Sequence, residues 1–180
     1  MRNTHTPLAA AILLAGCGSA DTDGDGKISA AEAIAEAKNA TVEQRPGMYQ
    51  ITFELLDFQA SGVPEEAKQR VRNAIANGLG GGRFQCETAE DVVDAGAGKM
   101  IEELAQGRCT LTAFDVSADS YSATADCAGG PGGPREIELD GTMTTESSTA
   151  TAVVKEEVPG VGEATTTVRI NSRRFGECAR

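Results

Sequence analysis

From Cys109 to Ile170 the chain repeats one pattern, in which apolar and polar residues alternate. Ile137, Leu139 and Met143 alternate with Glu136, Glu138, Asp140 and Thr142. Ala150, Ala152 and Val154 continue it, and Ala164, Thr166, Val168 and Ile170 run it back. A period of two sends successive side chains to opposite faces of a strand. The many threonines on the second face fit an antiparallel sheet with water on one side. Gly129–Pro134 and Val158–Gly162 supply the turn residues between strands. Earlier, Tyr49, Ile51, Phe53 and Leu55 alternate in the same way, and then the phase slips to Leu56 and Phe58. A bulge or the end of the strand would account for the slip.

Two of these strands fix their own register. Cys109 to Val116 and Tyr121 to Cys127 flank a turn at Ser117–Ser120. If Cys109 faces Cys127, then Leu111 faces Ala125 and Ala113 faces Ala123, which gathers the apolar residues on one side. A Cys109–Cys127 disulfide follows from that register. Four cysteines allow three pairings, and elimination leaves Cys86 with Cys178.

Between the first strand and this hairpin the sequence predicts helix. Pro64 suits a first turn, followed by Glu65 and Glu66 at the positive end of the helix dipole. Ala67, Val71, Ala74 and Ile75 form a stripe that ends at Asn77-Gly78. Gly78 to Gly82 reads as a flexible loop, because a phosphate cradle needs a preceding strand and a following lysine. Thr88 is a candidate cap for a second segment, which Gly96 and Gly98 interrupt and which Met100, Ile101 and Leu104 continue. The expected fold is α+β, mainly β. It is a curved antiparallel sheet of about six strands, with two helical segments after the first strand and an N-terminal calcium loop and helix.

The chain begins like an exported protein. Arg2 precedes the apolar run Leu8–Gly16, which has signal-peptide length and is too short to span a bilayer. Leu14-Ala15-Gly16-Cys17 resembles a bacterial lipobox, which implies cleavage before Cys17 and lipid attachment there. Gly18, in place of Asp after the lipidated cysteine, favours the outer membrane. Cys86, Cys109, Cys127 and Cys178 then remain for disulfides in an oxidising compartment. The boundaries are residues 1–16 for the signal, 17–40 for anchor, loop and short helix, 41–45 for a linker, and 46–180 for the β domain.

The loop is the one stretch whose spacing dictates a chemistry. Asp21, Asp23 and Asp25 occupy positions one, three and five, Gly26 the sixth, Ile28 the eighth and Glu32 the twelfth. This is the ligand spacing of an EF-hand calcium loop. The expected ligands are Asp21, Asp23, Asp25, the Lys27 carbonyl, Ser29 and Glu32. A solvated acidic spacer would also be rich in Asp and Gly, but it would not place Gly, Ile and Glu at those positions. There is no room for an entering helix after Cys17 and no second loop, so a dissociation constant of about 10⁻⁴–10⁻³ M is expected, as in extracellular modules. Ile34 is the one large apolar residue of the leaving helix. Few contacts are therefore expected to reach the sheet, and calcium should order residues 21–39 locally.

Composition narrows the function. The net charge is −11, which disfavours nucleic acid as a partner. The single histidine, His5, lies in the leader, so the mature chain lacks a histidine base or ligand. No enzyme is expected. Adjacent carboxylates at Glu102-Glu103 and Glu156-Glu157 read as solvated faces, and a pair clustered across strands would be the contrary sign. The expected role is a lipid-anchored, calcium-binding envelope protein acting by binding or structure. Its partners are the membrane, through Cys17, and an envelope protein. The alternative is a carrier holding an apolar ligand on the concave face of the sheet.

Three features together carry a resemblance: the strand opening Pro46-Gly47-Met48-Tyr49, the spaced Cys86, Cys109 and Cys127, and the ending Arg173-Arg174-Phe175-Gly176-Glu177-Cys178. The chain resembles domain-of-unknown-function family thirty-six-seventeen, small exported proteins of Gram-negative bacteria, over about Pro46 to Cys178. The resemblance implies a compartment and an architecture and no reaction. The calcium loop lies outside that family's usual pattern.

Overall fold

The structure is a computed structural model that describes residues 20–40, 42–92, 104, 106, 108–130, 133–158 and 161–178, with backbone only at 129 and 130. The leader, Cys17 and the Glu102-Glu103 pair lie outside these residues, as does most of the helix expected after Thr88. No helix among the described residues is long and apolar enough to cross a membrane.

The elements run α1 (Ala30–Ala37), β1 (Gly47–Ala60), α2 (Glu65–Leu79), β2 (Arg83–Glu87), β3 (Cys109–Ser117), β4 (Ser120–Gly130), β5 (Gly133–Met143), β6 (Ser147–Val158) and β7 (Gly162–Gly176). All seven strands form one antiparallel sheet in the order β2-β1-β7-β6-β5-β4-β3. The sheet is not closed, since β2 and β3 end it on either side. The strand beyond the expected six is β2. Its Phe84 and Cys86 do alternate with polar residues, but the preceding glycines and the shortness of the segment hid it.

Bulges keep one face apolar. In β1, Leu55 pairs with Val168 and Asp57 with Thr167, so Leu56 is the extra residue. Tyr49, Ile51, Phe53 and Leu55 thus share a face with Phe58 and Ala60, across a change of parity. The phase slip is a bulge and not a strand end. The orphaned turn of backbone has a partner: Arg72 of α2 donates to the Leu56 carbonyl at 3.2 Å and meets Asp57 at 3.4 Å. A second bulge lies in β3. Leu111 does face Ala125, but Ala113 faces Thr124 and Phe114 faces Ala123. The expected Ala113–Ala123 pairing is therefore wrong. The bulge turns Phe114 and Val116 onto the buried side with Leu111, which a regular strand would not do.

Two helices cover the ends of the apolar face. Val71 and Ile75 of α2 pack on Phe58, Ala60 and Ala164; Ala74, expected in that stripe, is exposed. At the other end, Ala33 and Ala37 of α1 pack with Ile28, Leu111, Phe114, Val116, Ala123 and Ala125. The expectation that residues 21–39 touch the sheet little is corrected here. The contact uses alanines four apart on α1, and small side chains let a helix approach closely.

Tyr121 lies over Gly141 on the neighbouring strand, where a Cβ would collide with its ring. Gly141→Ala is expected to destabilise by about 1–3 kcal/mol through overpacking, read as a lower urea midpoint. An unchanged midpoint would show that Tyr121 can swing away freely.

Candidate metal site

The loop folds from its own side chains. The Asp21 carboxylate accepts from the backbone N–H of Gly24 at 2.7 Å and of Gly26 at 2.9 Å. Asp23 accepts from Asp25 N–H at 3.1 Å, and Asp25 from Lys27 N–H at 2.8 Å. Such turns need a left-handed residue, and Gly26 has φ +79°. The result is that carboxylate oxygens of Asp21, Asp23 and Asp25 all lie within 4.8 Å of one another. Three like charges at this distance repel, and in water that repulsion is screened by solvent and salt.

The other three expected ligands are placed differently. Glu32 is not in the carboxylate group. Its Oε1 accepts from the Thr22 hydroxyl at 2.6 Å and the Thr22 N–H at 2.8 Å. Its Oε2 accepts from the Ser29 N–H at 2.9 Å and the Ser29 hydroxyl at 2.8 Å. Ser29 in turn caps α1 by accepting from Glu32 N–H. The Thr22 hydroxyl, then the other three donors, hold the Glu32 carboxyl at about 2, below its usual 4.5. Glu32 thus joins the start of the loop to the start of the helix. Lys27 contributes its N–H to Asp25.

Sequence reasoning missed how the loop is anchored. Ile28 N–H donates to the Leu111 carbonyl of β3 at 2.8 Å, and the Ile28 side chain is buried among the β3 residues. Ala40 bridges to Ala118 farther along. A cavity of about 340 Å³ opens between loop and sheet, lined by Asp23, Asp25, Glu32, Leu104 and Thr110 among others. The one sequence sign was the aliphatic eighth position itself.

Elsewhere, disulfides join Cys109 to Cys127 and Cys86 to Cys178. Glu157 faces Glu163 across β6 and β7, but both are exposed, and among the described residues no third metal-ligating side chain joins them. Comparison with protein families then adds one finding. A family model described as "Protein of unknown function (DUF3617)" matches residues 44–178. The chain belongs to that family. No curated protein and no solved structure matches. The aspartate loop lies outside the matched span, so membership says nothing for or against a metal there.

Proposed function

We propose that this chain is a calcium-binding protein of the cell envelope, lipid-anchored at Cys17, which acts by binding or structure and not by catalysis. The reading rests above all on the convergence of Asp21, Asp23 and Asp25 at loop positions one, three and five. All six candidate ligands offer hard oxygens, which suit calcium. The Lys27 carbonyl, Ser29 and Glu32 would complete the shell, Glu32 by exchanging its hydrogen bonds from Thr22 and Ser29 for the ion. A bound ion would neutralise the aspartates and brace the loop against β3.

Because the loop is packed on the sheet, calcium should stabilise the whole domain. At a hundredfold above its dissociation constant, binding contributes about 2.7 kcal/mol, or about 5–10 °C in Tm for a chain of this size. Calorimetric titration of the full chain and heat unfolding with and without calcium test this. Glu32→Ala should bind calcium at least tenfold more weakly, since Glu32 supplies two oxygens in such a shell. Unaltered binding by that variant would end the EF-hand reading. Lipid attachment is tested separately, by loss of labelled palmitate in Cys17→Ser.

One observation favours a second reading. Val154, Val168 and Ile170 are half-buried on the apolar face between the two covered ends and belong to neither helix-packed cluster. An apolar ligand would fit there. Native mass spectrometry with lipid extraction separates this carrier role from a purely structural one.

A further inference from the structure

The two edges of the sheet are treated differently. The β3 edge is covered by the Ile28–Leu111 hydrogen bond and the Ala40–Ala118 bridge. The β2 edge is not. Among the described residues, only β1 is hydrogen-bonded to the backbone of Arg83, Phe84, Gln85 and Cys86. An uncovered edge is a template for another strand.

What lies on that edge points to one partner. Arg83, Gln85 and Glu87 share a face, with the two charges placed symmetrically about Gln85. If a second copy of β2 pairs antiparallel about a two-fold axis at Gln85, each Arg83 sits directly opposite Glu87 of the other copy. The complementarity occurs twice, as an isologous interface requires. On the opposite face Phe84 would lie across from Cys86 of the second copy. Phe84 is 60% exposed and Phe175 is 74% exposed, and these are the exposed large hydrophobics among the described residues. Their rings meet edge to face at 5.4 Å. Phe175 stands out because it is an extra residue in β7, where Met48 pairs with Gly176 and Tyr49 with Arg174.

The competing explanation is a guarded edge, since short strands with charges discourage pairing. A guard against self-association would present like charges to its own copy, and it would not add two exposed phenylalanines. Here the charges attract the copy in a register that also sets the exposed Phe84 against Cys86 of that copy. We propose that β2 is a self-docking edge, through which two copies of this chain join their sheets into one. The proposal does not depend on calcium.

The axis allows a direct test, because residue 85 would meet itself. Opposite Cα atoms in an antiparallel pair are roughly 4.5–5.5 Å apart, within the span of a disulfide. With Cys17 replaced by serine, so that no other free thiol remains, the chain carrying Gln85→Cys should therefore form, on mild oxidation, a covalent dimer of twice its own mass. Adding Arg83→Glu sets like charges opposite each other twice and should cut the yield about tenfold. Adding Glu87→Arg as well should restore it. A cysteine in place of Thr151, at the centre of the wet face, should give no dimer. The proposal is overturned if Gln85→Cys stays monomeric, if Arg83→Glu leaves its yield unchanged, if the charge swap fails to restore it, or if the Thr151 variant dimerises equally.

Discussion

Replacing Cys86 and Cys178 together by serine is expected to lower the stability of the domain by about 4–5 kcal/mol. The two residues are 92 apart in sequence, and a cross-link that closes so long a loop removes much of the freedom of the unfolded chain. Its native role is also local. Strand β2 is held to β1 over a register of five residues, and the disulfide ties it to the chain end beyond β7. Without it β2 should fray first. The Cys109–Cys127 bond closes only 18 residues, so its loss should cost less, about 3 kcal/mol. Urea unfolding of both double variants gives the order. A loss below about 1 kcal/mol for the longer loop would contradict the loop-closure account.

Ile28→Ala should destabilise by about 2–5 kcal/mol, the usual range for emptying a buried aliphatic site. Ile28 is 5% exposed and contacts the cluster built on Leu111, Phe114 and Val116. The substitution keeps the backbone hydrogen bond to Leu111 and every candidate calcium ligand. It should therefore leave calcium affinity within a fewfold, and with it most of the calcium-induced rise in Tm. If stability fell by less than about 1 kcal/mol, Ile28 would be an ornament on the loop and not its anchor.

Particular residues show how much of this could be read from the sequence. The phase slip in β1 was legible because Leu55 and Leu56 are adjacent apolar residues, and a strand with one buried face cannot use both; the register with β7 decides for a bulge over a strand end. The β3 bulge was not legible, because Ala113 and Ala123 extend the false register without any polar conflict. Phe114 was the sign, a large apolar residue left out of phase. The docking of α1 was misjudged by weighing Ile34, whereas the helix buries Ala33 and Ala37. Alanine is apolar but small, so composition carries no strong signal of a close contact. In the loop, the converging aspartates followed from spacing. The turning of Glu32 towards Thr22 and Ser29 did not, because it depends on where the chain places two hydroxyls and two amides.

The central claim is that the aspartate loop is built into the sheet through β3 and does not stand apart as a tether. Hydrogen exchange of the full chain with and without calcium tests it most directly. The account predicts that calcium slows exchange in the loop and also at the amides of β3 and β4 around Phe114, Val116 and Ala123. Slowing confined to residues 21–39, with β3 and β4 unchanged, would contradict it.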